Sequence, residues 1–167
     1  MTVLSVAIDQ ATKVWATSAL KGVAPTSYLG DIFRLQWVTN DGAFLSLGAS
    51  LPDALRFALL TVGVGGLLLG ISIYTMLGKD IDGPQVIGYA LIVSGGASNW
   101  VDRARFGGAV VDFMNVGIGT VLRSGVFNVA DLAILAGIGL LMVHGWKLER
   151  AQKAAAASAP ASAPPLS

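Results

Sequence analysis

The chain has 167 residues, 54% of them hydrophobic and 13% charged, with a formal net charge of +1 and a mean hydropathy of +0.68. That is too apolar for a soluble domain of this size and fits a small polytopic membrane protein, and so small a charge offers no basic field for nucleic acid. With no cysteine and one histidine there is no disulfide, thiol nucleophile, Cys-based metal site or HExxH zinc motif, and nine Asp against one Glu leave aspartate as the group for chemistry.

Residues 1–20 are mostly apolar, broken by Asp9, Gln10 and Lys13, and just reach the ~20 residues a spanning helix needs. They lack the charged leader and small-residue cleavage site of a signal peptide. Asp9 and Lys13 stand at i and i+4, so they share a helix face and can pair. In residues 21–52 the texture changes. Phe33, Leu35 and Trp37 alternate with Arg34 and Gln36, the period of a strand with one apolar face. Asn40-Asp41-Gly42 is a hairpin-type turn leading into Ala43-Phe44-Leu45, which predicts a short β hairpin or meander at the membrane surface. On turn chemistry alone, Asn40 reads equally as a plain turn residue.

Residues 57–78 carry no charge and form the clearest span. Gly66 and Gly70 predict a small-residue helix contact there. A polar loop follows, with Pro84 suited to open the next helix. Residues 84–101 span again. Gly95-Gly96 permits close approach of another helix or a substrate, and Asn99, Asp102 and Arg103 share the face at its end. Residues 104–124 read as a glycine-rich loop that holds Val110-Val111-Asp112-Phe113. Residues 125–146 form the last span, with Asn128 and Asp131 at i and i+3. Residues 148–167 predict a disordered Ala/Pro/Ser tail behind a basic collar.

The fold class expected is therefore an all-α polytopic membrane protein, four transmembrane helices with a small β hairpin or cradle outside the bilayer. Four spans put both termini on one side and gather the acids at the opposite face. The positive-inside rule is ambiguous: Lys79, Lys147, Arg150 and Lys153 lie on the terminus side, and Lys21, Arg34, Arg56, Arg103, Arg105 and Arg123 on the other. We discount some of those arginines as carboxylate or lipid-phosphate binders. Trp15, Trp37, Trp100 and Trp146 read as interface anchors, and the lone His144 as a residue without a chemical role.

A carboxylate at the centre of a membrane helix costs roughly 2.5–3.5 kcal/mol on insertion scales, so these acids need a reason. Asp112 and Asp131 can be brought face to face by the loop between them. Two close carboxylates share one proton; the ionised one serves as general base on water while the protonated one donates. Asn99, Arg103 and Asn128 supply donors around them. Asp102 next to Arg103 reads as a structural ion pair. Spacing alone leaves two other readings open, a small carrier that uses the acids for proton or cation relay and a membrane scaffold. Against a carrier, the chain shows no internal repeat.

Five segments occur in order: Asp9-Gln-Ala-Thr-Lys13, Asn40-Asp-Gly-Ala-Phe44, Gly96-Ala-Ser-Asn99-Trp-Val-Asp102-Arg103, Val110-Val-Asp112-Phe113 and Phe127-Asn-Val-Ala-Asp131. Together they resemble the lipoprotein signal peptidase (signal peptidase II) family over residues 1–147. The resemblance implies a four-helix inner-membrane aspartyl endopeptidase of bacteria that cuts diacylglyceryl-modified prolipoproteins just before the lipidated Cys. It implies Asp112 and Asp131 as the catalytic pair, and Asp9, Lys13, Asn40, Gly42, Asn99, Asp102, Arg103, Asn128 and Ala130 as residues that shape the site or contact substrate. It also implies a surface β cradle over residues 28–48, a helical region before the Val-Val-Asp segment, and cytoplasmic termini with the dyad near the outer face. The expected partners are the lipidated prolipoprotein and membrane lipid, with no nucleic acid, no metal and no cofactor, in a monomer. Two features depart from the family's usual form: only eight residues precede Asp9, and the Asn40 segment is compact.

Overall fold

A computed structural model describes residues 2–41, 51–119 and 122–158, without the side chains of Asp53 and Ser158. Helix α1 (Thr2–Leu20) leads to strands β1 (Thr26–Tyr28) and β2 (Phe33–Asn40). Helix α2 (Asp53–Phe57) continues through a π-helical turn (Ala58–Gly63) into α3 (Val64–Leu77). Helix α4 (Gly83–Arg105), strands β3 (Val110–Ile118) and β4 (Leu122–Arg123), and helix α5 (Val129–Ser158) complete the order. Among the described residues two stretches are long and apolar enough to cross a membrane, Ala54–Leu77 and Val129–Ala157, at mean hydropathies of 2.0 and 1.7. Helices α1 and α4 are interrupted by ionic side chains: Asp9 and Lys13 in one, Asp102, Arg103 and Arg105 in the other.

Polarity is arranged inside out. Asp9, Lys13, Ser98, Asn99, Asp102, Arg103, Asp112 and Asn128 are buried, while Leu67, Leu69, Met76 and Met142 face outward. An aqueous protein leaves few such broad apolar surfaces uncovered; lipid tails, being as apolar as leucine, suit these. Helices α4 and α5 approach most closely through glycine. A Cβ at Gly95 would collide with the Ala130 carbonyl oxygen, and one at Gly137 would lie 2.6 Å from the Gly88 oxygen. The expected contact at Gly66 and Gly70 is not made: nothing described lies within 4 Å of a Cβ at either position. The neighbour that needs room is Gly65, which faces the Trp100 indole. Trp100 Nε1 donates to the Thr61 carbonyl at 2.8 Å, in the π-helical turn where the wider ring shifts the backbone hydrogen bonds.

The loop from Lys79 ends as expected. Asp82 caps α4 by accepting from the Gln85 N–H, Gln85 returns the bond, and a proline sits in the first turn. His144 is not isolated: its Nε2 lies 2.5 Å from Asp82 Oδ2, tying α5 to that cap. The last helix outruns its expected end at 146, and the tail from 148 is helical as far as Ser158. Alanines 154–157 favour helix, and Lys153 donates to Glu149 one turn back.

The β region is larger than a hairpin. Four antiparallel strands lie in the order β1-β2-β3-β4. Residues 42–50, where the sequence predicted the turn and return strand, lie outside the described residues. The described partners of β2 are β1 and β3, the latter from the stretch read as loop 104–124. No separate helix precedes Val110; α4 ends at Arg105 and the chain turns directly into β3. Arg34 and Arg123 both bind Asp31, which hold its carboxyl well below the usual range, the Arg34 hydrogen bond foremost. They are carboxylate binders, as the charge count required.

Candidate active site

A one-residue bulge in β2 sets the geometry of the site. Leu35 pairs with Met114, but Val38 pairs with Asp112, so three steps on β2 match two on β3. Side chains alternate across a sheet, and a one-residue slip exchanges the faces. With the bulge, Asn40 lies two residues beyond Val38 on the same face as Asp112. Without it, Asn40 would point the other way. The result is a hydrogen bond of 2.9 Å from Asn40 Nδ2 to Asp112 Oδ2.

Asp131 reaches the same place from the first turn of α5. Asn128, the residue before that helix, accepts from the Asp131 N–H at 3.0 Å, and its own N–H donates to Asp131 Oδ2 at 3.1 Å. This reciprocal cap leaves the Asn128 amide nitrogen free to donate to Asp112 Oδ1 at 2.6 Å. One asparagine thus joins the two aspartates. Asn99 Nδ2 donates to Asp131 Oδ1 at 2.9 Å. Asp112 lies on β3, outside the helical spans, and its carboxyl is pushed up to about 6. Burial is the main cause, with the negative charge of Asp131 adding to it and hydrogen bonds from Asn40 and Asn128 opposing it.

Behind the pair lies a buried ionic cluster. Lys13 Nζ sits 2.8 Å from Asp9 Oδ2 and 2.9 Å from Asp102 Oδ2, and donates to Asn99 Oδ1 at 2.8 Å. Asp9 accepts from the Ala130 N–H at 2.8 Å and from Ser98 at 2.7 Å. Asp102 accepts from the Val111 N–H at 3.2 Å and from Gln10 at 2.8 Å. Two carboxylates therefore fasten the start of α5 and of β3, the elements that carry the facing aspartates. The expected Asp102–Arg103 ion pair is not formed, because Asp102 takes Lys13 instead. Arg103 is turned to the other side of α4. It is 8% exposed, its Nε has no hydrogen-bond partner, and among the described residues its guanidinium is in no ion pair.

Arg103, Asn40, Asn99, Asp112 and Asp131 open onto a groove of about 680 Å³. Its far wall is apolar, formed by Val64 of α3 and by Leu132, Leu135 and Ile138 of α5. Every site residue named from the sequence except Gly42, which lies outside the described residues, belongs to this groove or the cluster behind it. Gln10 and Ser98 were missed. Helical spacing was the available signal: Gln10 is three residues before Lys13, and Ser98 four before Asp102.

A largely helical fold with outward apolar surfaces, with one buried and one half-buried aspartate at the mouth of a groove, fits the class of membrane aspartic peptidases. Residues 1–147 match the family described as Signal peptidase (SPase) II, and the chain belongs to that family. The lipoprotein signal peptidase of Sphingopyxis alaskensis is 37% identical over 139 residues, 82% of this chain and 78% of that one. The protein of the same name from Thermosynechococcus vestitus is 34% identical over 146 residues, 86% and 87% of the two chains. Two solved bacterial membrane enzymes share the fold. One has a TM-score of 0.72 at 20% identity, covering 98% of this chain and 92% of that chain; the other has 0.70 at 22%, covering 86% and 88%. The chain is accordingly a hydrolase of the aspartic endopeptidase type that processes lipoprotein signal peptides.

Proposed function

We propose that this chain is an intramembrane aspartyl endopeptidase that removes the signal peptide from diacylglyceryl-modified prolipoproteins just before the lipidated Cys, with Asp112 and Asp131 as its catalytic pair. The observation that carries the reading is the pair itself. Two carboxyls on different elements, Asp112 buried and Asp131 half-buried, open onto one groove, joined through Asn128 and each fed by further amide donors. A water held between them loses a proton to the ionised carboxylate as its oxygen adds to the scissile carbonyl carbon. The protonated carboxyl donates to the carbonyl oxygen, and a proton then passes to the leaving nitrogen as the C–N bond breaks. Arg103, with unused donors at the groove, binds a substrate carbonyl or the lipid ester. The apolar wall takes the signal peptide or acyl chains. Asp9, Lys13, Asn40, Asn99, Asp102, Asn128 and Ala130 hold the pair in place.

In this reading α1, α2–α3, α4 and α5 are four spans of a bacterial inner-membrane protein that acts as a monomer. Both termini are cytoplasmic, and the sheet and the pair lie at the outer face. The relay-carrier reading is set aside because the family is one of hydrolases. The test is cleavage of a diacylglyceryl-modified lipoprotein precursor by the purified protein and by Asp112→Asn and Asp131→Asn. Both folded variants are expected to be inactive beside an active wild type. Full activity in either overturns the assignment of that residue, and an inactive wild type overturns the substrate.

A further inference from the structure

The amide groups around the pair have one polarity throughout. The Lys13 ammonium has three donors and no acceptor, so the Asn99 atom it touches at 2.8 Å is the oxygen. Asn128 Nδ2 donates to that same oxygen at 3.1 Å. With its oxygen held by two donors, Asn99 has only its NH2 to offer Asp131 Oδ1. The Asn128 oxygen is fixed likewise by the Asp131 N–H, which turns its NH2 to Asp112. All four carboxylate oxygens of the pair therefore receive N–H donors: Asp112 from Asn128 and Asn40, Asp131 from Asn99 and the Asn128 backbone. Donors of this kind favour the ionised form.

We propose, resting on the peptidase reading above, that Lys13 is a positioning residue for the reaction: its ammonium locks the Asn99 amide with the NH2 toward Asp131, and so keeps the pair from taking up a second proton near neutral pH. Without Lys13 the Asn99 oxygen keeps only the longer bond, from Asn128 Nδ2 at 3.1 Å, and the amide turns more readily. Its oxygen would then face Asp131 Oδ1, two acceptors in contact, an arrangement satisfied only when that carboxyl carries a proton. The loss of a positive charge acts in the same direction. A doubly protonated pair has no base to activate water. The other charged groups around Asn99 and Asp131 are Asp112 on β3, Asp9 on α1, and Asp102 and Arg103 on α4; none of them holds the Asn99 oxygen.

The experiment is the pH–rate profile for cleavage of a diacylglyceryl-modified precursor by wild type, Lys13→Met, Lys13→Arg, Asn99→Asp and Ser98→Ala, each checked for folding in detergent. In Lys13→Met the acid limb of kcat/KM is expected to move to higher pH by about one unit, a loss that reaches about tenfold well below the old midpoint, with activity recovering as pH rises. Lys13→Arg, still a donor-only cation, is expected to restore the wild-type limb. Asn99→Asp keeps an oxygen for Lys13 but presents a second acceptor to Asp131, and is expected to move the limb the same way. Ser98→Ala removes a bond to Asp9 within the same cluster and is expected to leave the limb where it is. Should Lys13→Met fail to fold, Lys13→Met with Asp102→Asn relieves one unpaired carboxylate and asks the same question. Loss of amplitude with an unmoved limb in both the Lys13→Met background and Asn99→Asp would overturn the proposal and leave Lys13 a structural residue. An inactive wild type would instead overturn the function on which it rests.

Discussion

The carboxyl most exposed to challenge is Asp112, because its environment works against its ionised form. Burial holds it at about 6, above the ordinary 3.8, and the difference is worth about 3 kcal/mol at about 1.4 kcal/mol per tenfold. A folded-state value above the unfolded one means the native protein binds the proton more tightly, so stability declines as pH rises from about 4 to about 6 and stays lowered beyond that. Asp112→Asn cannot ionise and escapes the penalty. It loses one acceptor between Asn40 and Asn128, a cost of about 1–2 kcal/mol. The variant is therefore expected to be more stable than wild type by about 1–2 kcal/mol at pH 7.5, or a Tm higher by roughly 2–8 °C for a chain of this size, and less stable by about 1–2 kcal/mol below pH 4, where wild type no longer carries the ionisation penalty. Thermal unfolding in detergent, followed by tryptophan fluorescence at several pH values, measures it. A variant less stable than wild type at pH 7.5, or a gap independent of pH, would refute the burial argument.

Three further outcomes follow from the same contacts. Asn40→Ala removes a donor to Asp112 and is expected to move the acid limb of the activity profile upward by about 1 pH unit while leaving the far-ultraviolet circular dichroism unchanged. Asp9→Leu leaves Lys13 paired with Asp102 alone and frees the Ala130 N–H, so it is expected to cost about 1–3 kcal/mol in unfolding measurements, and Asp9→Asn less. Gly95→Leu drives a side chain into the Ala130 carbonyl, so it is expected to abolish the folded species on size-exclusion chromatography, whereas Gly66→Leu, with open space around it, is tolerated.

The helices were legible because lipid and packing impose periods and lengths that a sequence displays. The acids were legible for the opposite reason, since Asp9, Asp102, Asp112 and Asp131 interrupt apolar runs where nothing but a partner or a task sustains them. Counting four spans predicted that they gather, and the structure brings them together in one groove and the cluster behind it. What the sequence concealed was long-range. The strand Val110–Ile118 looked like part of a glycine-rich loop because its partner, β2, lies some seventy positions earlier, and no local pattern announces a pairing at that distance. The bulge between Leu35 and Val38 was hidden by the alternation of Phe33, Leu35 and Trp37, which reads as an unbroken strand. That bulge brings Asn40 onto the face of Asp112, so the most consequential backbone feature of the site is the one the period-two pattern argued against. Charge partners misled for a related reason. Adjacent Asp102 and Arg103 suggest a pair, but neighbours one residue apart on a helix point about 100° apart. Asp102 faces α1 and meets Lys13, while Arg103 faces the groove. The separation has a use in the proposed reaction. A cation neutralised by its neighbour would be a strut, whereas Arg103, held buried with donors to spare beside two aspartates, is left for the substrate.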